Sequence, residues 1–338
     1  MKFPGSHILS ISQFEIPDIE KIFSVADQMK PYAYREKTTK VLEGAVLGNM
    51  FFEASTRTRV SFGAAFNLLG GDVRETTGLK SSALAKGESL YDTARVLSGY
   101  SDVIAMRHPQ AGSVAEFAEG SRVPVMNGGD GANEHPTQAL LDLYTIRSEL
   151  KSRGRAIEQL RIALVGDLRN GRTVHSLCKL LTLYQGVEVR LIAPRDLAMP
   201  ESIVQAMREA GHSVTVCEEL EQNIQNVDIL YSTRIQEERF PTQEEANLYR
   251  GKFRLNQSLY QQYCDPNTII MHPLPRDSRQ EANELDVDLN NNPNLAIFRQ
   301  ADNGVLVRMA LFALVLDVSE LVAKYERPVH WFAGNRNG

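Results

Sequence analysis

Ser55-Thr56-Arg57-Thr58-Arg59 alternates hydroxyl and guanidinium side chains at a place where the chain changes character. It follows an apolar run, Val46-Leu47-Gly48-Asn49-Met50-Phe51-Phe52, and precedes Phe62, Phe66 and Leu69 at helical spacing. A strand that ends this way at a helix start is built to hold an anion. The first N–H groups of a helix lack internal partners, the dipole is positive there, and hydroxyls add donors. Arg57 can grip two phosphate oxygens in fork geometry. A capped helix with solvated arginines explains most single S-T-R stretches; two hydroxyl-arginine pairs in succession weigh toward the anion.

Further motifs follow other apolar runs. Arg107 ends Asp102-Val103-Ile104-Ala105-Met106, and it reads equally as a site residue or as a surface cap. The stretch 127–138, with Gly128-Gly129-Asp130-Gly131, is a glycine-rich turn that lets the backbone approach a ligand. His135 there can point a donor at a carbonyl oxygen, and Gln138 lies one turn on, on the same side. Val165-Gly166-Asp167-Leu168-Arg169-Asn170-Gly171-Arg172 looks like a dinucleotide turn but lacks G-x-G-x-x-G, so Arg172 reads as a carboxylate anchor. Arg234 and Gln236 repeat that logic after 227–232, and His272-Pro273-Leu274-Pro275-Arg276 offers rigid carbonyls to a ligand amine or amide. A cis bond before Pro275 suits so tight a turn. Ser82 and Lys86 lie in a polar loop where a solvated lysine is the plain reading.

The elements that must position these residues alternate along the chain. Strands are predicted at 45–52, 102–107, 123–127, 161–166, 188–193, 213–217, 227–232 and 268–272. Helices are predicted at 57–70, 88–100, 136–150, 171–185, 200–210 and 304–318, with 276–294 a loop. This rhythm gives an α/β fold with parallel sheets flanked by helices, whose ligands sit outside the strands' carboxyl ends. The length of 338 residues suits about two domains. We expect domains at 1–150 plus 303–338 and at 151–302, linked by the long helix 136–150 and the polar stretch 151–155. The apolar final helix is expected to pack back on the first domain. The tail 325–338 reads either as a subunit contact or as a disordered end, with the second slightly favoured.

Composition narrows the function. A net charge of −5 without a basic stripe argues against nucleic-acid binding. Cys178, Cys217 and Cys264 are widely spaced, which fits neither a disulfide framework nor a zinc finger and suits a reducing cytosol. The N-terminus shows no apolar leader, and the run Met309 to Leu316 is shorter than the about 20 residues a membrane span needs. We therefore expect a cytoplasmic protein. Together Arg57, Arg107, Arg172 and Arg234, with one histidine, suit the joining of two anionic small molecules. The sequence offers no metal cluster, no nucleophile beside a base and no paired carboxylates.

Five stretches match one family in order and spacing: 51–59, Met106-Arg107-His108-Pro109, His135-Pro136-Thr137-Gln138, Gly171-Arg172-Thr173-Val174-His175-Ser176 and 272–276. Nearly the whole chain resembles the aspartate/ornithine carbamoyltransferases. The resemblance implies transfer of a carbamoyl group from carbamoyl phosphate to an amino acid, without a cofactor or metal. It implies that Ser55, Thr56, Arg57 and Thr58 hold the phosphate, and that Arg107, Thr58 and His135 polarise the carbonyl. Gln138 and the carbonyls near Pro273 and Leu274 would bind the carbamoyl amine, with Pro275 shaping that turn. Arg172, Arg234 and Gln236 would hold the carboxylates of L-aspartate. Ser82 and Lys86 would reach a neighbouring subunit's site, so a homotrimer with shared sites is implied. Arg234, Gln236 and Arg276 favour aspartate over cationic ornithine, and the ornithine enzymes typically carry H-C-L-P at the last motif. Glu53 is expected to bridge to Arg172 or Arg239. A non-catalytic paralogue would be expected to lose members of this set, yet all are present. Association with regulatory chains or a dihydroorotase stays open.

Overall fold

The computed structural model describes residues 1–78, 87–277, 279 and 282–334. Its strands are β1 (Lys37–Thr39), β2 (Val46–Phe51), β3 (Asp72–Thr77), β4 (Val103–His108), β5 (Val125–Asp130), β6 (Arg161–Val165), β7 (Glu188–Ile192), β8 (Ser213–Cys217), β9 (Ile229–Ser232), β10 (Ile269–Met271) and β11 (Glu326–Pro328). Its α-helices are α1 (Ile16–Ala33), α2 (Thr56–Leu68), α3 (Leu90–Leu97), α4 (Ser113–Gly120), α5 (Pro136–Lys151), α6 (Arg172–Leu181), α7 (Glu201–Glu209), α8 (Gln243–Asn247), α9 (Gln257–Tyr263) and α10 (Ile297–Val315). The chain forms two compact units, Met1–Leu141 with Asp302–Gly338, and Asp142–Ala301. It passes from one to the other inside α5 and returns inside α10. Among the described residues no helix is long and apolar enough to cross a membrane.

The first unit is built on a parallel sheet of order β3-β2-β4-β5. β4 and β5 are buried along their whole length, as strands of a sheet covered on both faces must be. β3 is polar and mostly exposed because it is an edge, which is why no apolar pattern announces it. Phe62 of α2 lies 6.3 Å from Phe51 and edge-on to Phe312 of α10 at 6.0 Å, and Phe66 meets Phe312 at 5.0 Å. Such aromatic pairs contribute about 1 kcal/mol each beyond their buried area. α10 begins at Ile297, ahead of the apolar stretch at 304–318, because Arg299, Gln300, Asp302 and Asn303 make its first turns polar. α1 carries Pro17 in its first turn and Pro31 in its last. β11 pairs antiparallel with β1, and Lys37 Nζ lies 3.0 Å from both Glu326 carboxylate oxygens. The start of the tail is thus an ordered strand, a correction to the disorder slightly favoured for this chain end.

The second unit holds a parallel sheet of order β10-β9-β6-β7-β8. Ala163, Val165, Ile192, Leu230 and Ile270 form part of its core. Arg153 and Arg155, read as linker, are bonded into this unit: Arg153 to Asn294 Oδ1 at 2.9 Å, Arg155 to the Asp228 carboxylate. The segment 276–294 is not wholly loop, since Val287–Asn291 forms a 3-10 turn that buries Leu289.

Each sheet has one point where strand order reverses. β2 has β3 on one side and β4 on the other, and β6 has β7 on one side and β9 on the other. Crevices outside the carboxyl ends of strands at such points are where open parallel sheets take their ligands. The motif-bearing strands are β2, β4 and β5 in one sheet and β6, β9 and β10 in the other, neighbours in both cases.

Candidate active site

In the first unit β2 delivers the chain to Ser55, the N-cap of α2, at φ −162° and ψ 93°. No side-chain cap bond and no acidic residue occupies the first turn, so this helix end keeps the positive potential that draws an anion. Thr56 and Arg57 are exposed, and Ser55 and Thr58 half-buried. Arg59 does other work. Its Nη1 lies 3.0 Å from Glu75 Oε2 of β3, and its carbonyl accepts from Asn49 Nδ2 at 3.0 Å.

Arg107 stands at the end of β4 and is only 9% exposed. Its Nε donates to Glu53 Oε2 at 2.8 Å and its Nη1 to the Gly128 carbonyl at 3.4 Å, so it reaches toward the ends of β2 and β5. Glu53 therefore has a partner within its own unit, next to the anion motif. β5 runs on to Asp130 where a turn was expected from Asn127, because the β4–β5 register shifts between Met106 and His108. The buried Asp130 carboxylate then gathers the loop: Oδ1 accepts from Glu134 N at 3.1 Å, and Oδ2 from Gly112 N at 2.9 Å and Asn133 Nδ2 at 3.0 Å. Gly131 is required there, at φ +57°, since a Cβ would stand 2.7 Å from the Pro109 carbonyl. His135 is buried with Nδ1 3.5 Å from Thr137 Oγ1, and Gln138, half-buried, donates its N–H to the His135 carbonyl at 3.0 Å. Arg308 of α10 ties α2 to α5: its Nη1 donates to Ser61 Oγ at 2.9 Å, and its guanidinium lies 4.8 Å from the Phe62 ring.

In the second unit Asp167, fully buried after β6, joins the two loops that carry the cationic residues. Its Oδ1 accepts from Asn170 N at 3.0 Å and its Oδ2 from Gln236 N at 3.2 Å. Arg172 opens α6 behind the N-cap Gly171 and is 9% exposed. Arg234, half-buried, follows β9. The Gln236 amide donates to the Asn170 carbonyl at 2.8 Å and accepts from Arg239 Nε at 2.9 Å. His175 Nε2 lies 2.7 Å from the Leu168 carbonyl, and burial lowers its pKa, so the ring braces this loop as a neutral donor. After β10 the peptide Leu274–Pro275 is cis and Leu274 has φ +55°. Arg276, read with Arg234 as suited to a carboxylate, donates to Asn290 Oδ1 at 2.7 Å and lies 6.0 Å from the Phe298 ring. Ser82 and Lys86 lie outside the described residues.

Comparison with known proteins decides what these two sets belong to. Residues 6–148 match the family model "Aspartate/ornithine carbamoyltransferase, carbamoyl-P binding domain", and residues 158–315 match its companion, "Asp/Orn binding domain". The chain belongs to the aspartate/ornithine carbamoyltransferase family. Within this family it is 72% identical to the aspartate carbamoyltransferase catalytic subunit of Cellvibrio japonicus, over 99% of both chains. The aspartate transcarbamoylase of Trypanosoma cruzi solved with carbamoyl phosphate and aspartate superposes with a TM-score of 0.84 at 37% identity, over 93% of this chain and 98% of that one. The catalytic subunit of M. Jannaschii aspartate transcarbamoylase superposes with a TM-score of 0.81 at 41% identity, over 94% of this chain and 99% of that one. The second carbamoyltransferase model runs to residue 315, whereas Asp302 onward is packed with the first unit. What the carbamoyltransferase motifs did not announce are the carboxylates that gather the loops, Asp130 and Asp167, and the pairing of Glu53 with Arg107. An acidic residue beside a basic motif is the only sequence signal they leave.

Proposed function

We propose that this chain transfers the carbamoyl group of carbamoyl phosphate to the α-amine of L-aspartate, giving N-carbamoyl-L-aspartate and phosphate. The observation that carries this reading is the near-complete match to a catalytic subunit of that activity, at 72% identity. In this reading Ser55, Thr56, Arg57 and Thr58 receive the phosphate at the start of α2. Arg107, Thr58 and His135 donate to the carbonyl oxygen. Gln138 and the carbonyls of Pro273 and Leu274 take the carbamoyl amine, with Pro275 shaping the turn. Arg172, Arg234 and Gln236 take the aspartate carboxylates, and Gln236 must exchange one of its present bonds to do so.

The chemistry follows from charge. The neutral amine attacks the carbonyl carbon and negative charge grows on its oxygen, where each placed donor lowers the barrier by about 3 kcal/mol. The C–O bond to phosphate then breaks, and the departing phosphate can carry off the amine's proton, so no side-chain base is required. Arginines suit aspartate's second carboxylate and would repel the ammonium of ornithine.

Ser82 and Lys86 are read as contributions to a neighbouring site in a homotrimer, and Lys86 as a contact of the aspartate. The product feeds pyrimidine synthesis in the cytosol, a compartment in keeping with three free cysteines. The test is direct: the purified chain, given carbamoyl phosphate with aspartate or with ornithine, should yield carbamoyl-aspartate and no citrulline. Absence of carbamoyl-aspartate overturns the reading, and native mass separately tests the trimer.

A further inference from the structure

The turn that follows β10 is held by a hydrogen-bond system that no substrate would touch. His272 is 1% exposed, and its Nδ1 accepts the Leu274 N–H at 2.8 Å. A backbone N–H can only donate, so Nδ1 is bare and the ring proton sits on Nε2. That proton faces Glu284 Oε1 at 2.7 Å, and the Glu284 carboxylate, 6% exposed, also accepts Asp277 N–H at 3.1 Å. On the other side His272 N–H donates to Gln300 Oε1 at 2.9 Å. Gln300 Nε2 donates to Asp142 Oδ1 at 2.7 Å, and Tyr231 OH to Asp142 Oδ2 at 2.8 Å. The turn is thus fixed at its first residue, its third and its exit.

The consequence concerns the carbonyls between those points. Leu274 sits at φ +55°, outside the broad minima of a bulky residue. Its backbone needs an outside restraint to keep one orientation, and the Leu274 N–H···Nδ1 bond is that restraint. A second tautomer of His272 would set N–H against N–H and release it; Glu284 disfavours this because its carboxylate faces Nε2 and needs a proton there.

We infer that His272 and Glu284 are positioning residues that aim the Pro273 and Leu274 carbonyls, and that they thereby make the site select an NH2-bearing acyl phosphate over one ending in a methyl group. This deepens the function proposed above and rests on it, since those carbonyls are read as acceptors for the carbamoyl amine. A carbonyl accepts from an NH2 group and offers nothing to CH3, so two well-aimed carbonyls discriminate about ten- to hundredfold.

The probe is acetyl phosphate, which replaces the carbamoyl NH2 by CH3 and leaves the phosphate unchanged. The dissociation constants of both acyl phosphates, measured in the absence of aspartate, give one ratio for each variant. In His272→Ala the ratio should fall at least tenfold, through weaker carbamoyl phosphate with acetyl phosphate unaltered. In His272→Asn, whose amide oxygen can replace Nδ1 as acceptor for Leu274 N–H, most of the ratio should return. Glu284→Leu, which frees the tautomer and also releases Asp277 N–H at the exit of the turn, should lower the ratio too, and it decides the matter if His272→Ala does not fold. A ratio unchanged in the folded variants, including an equal loss of both affinities, overturns the inference and leaves the two residues merely structural. A wild-type chain that binds neither compound would instead overturn the proposed function.

Discussion

Replacing Asp167 by alanine removes one buried carboxylate and leaves two loops without their common acceptor. The N–H groups of Asn170 and Gln236, at 3.0 and 3.2 Å from it, lose their partner next to a residue of zero exposure. Each orphaned buried donor costs about 1–3 kcal/mol, so the variant should be roughly 2–6 kcal/mol less stable. For a unit of this size that lowers Tm by roughly 5–20 °C. Because the same two loops carry Arg172, Arg234 and Gln236, the KM for aspartate should rise with the loss of register. Carbamoyl phosphate binding should hardly change, since its phosphate residues lie in the other unit. Asp167→Asn sharpens the test: its amide oxygen can serve Asn170 N–H, but its NH2 then meets Gln236 N–H, donor against donor. Calorimetry gives Tm, and steady-state kinetics with each substrate varied give the two KM values. A variant with unaltered Tm and unaltered KM for aspartate would refute the claim that Asp167 sets these loops.

Arg107→Ala should lower kcat about 10²–10³-fold, as loss of one oxyanion donor does, while a fall below tenfold in steady-state assays would remove Arg107 from that role. Gly166→Ala places a Cβ at φ +116° only 2.2 Å from the Thr233 carbonyl, so it should destabilise by about 3 kcal/mol or more, read from the urea midpoint. His212 is held neutral: Nδ1 accepts Val187 N–H at 3.3 Å, Nε2 donates to the Leu181 carbonyl at 3.1 Å, and burial lowers its pKa from 6.5. The folded value being the lower one, its stabilising contribution is complete above the unfolded value and is lost as pH falls below about 6.5. His212→Leu should therefore flatten the acid side of the Tm–pH curve, and an unchanged slope would contradict this.

What the sequence makes legible follows from where each residue ends up. β4 and β6 are buried and open on apolar runs that can be read directly, whereas β5, equally buried, is apolar only as far as Met126 and its Asn127-Gly128-Gly129-Asp130 half reads as a turn. β3 is an edge and reads as polar, and α1 is masked by its two prolines. The cations declare themselves by type, since Arg57, Arg107, Arg172 and Arg234 each follow a strand. The groups that place them do not. Asp167 meets Gln236 across 69 residues of chain, and nothing local in either stretch predicts the meeting. Arg276 shows the same limit: its type and position suit a carboxylate, and its bond to Asn290, fourteen residues on, is not written in the local sequence.

Because Phe312 comes from α10 while Phe62 and Phe66 come from α2, the first unit cannot finish its aromatic cluster from its N-terminal portion alone. During synthesis the contiguous stretch Asp142–Ala301 emerges in full before that missing ring is made. The nascent N-terminal portion must therefore wait with Phe62 and Phe66 unsheltered until translation is nearly over. A fragment stopped at Leu141 should bind a hydrophobic dye that the finished chain ignores, and chaperone dependence should concentrate in that interval.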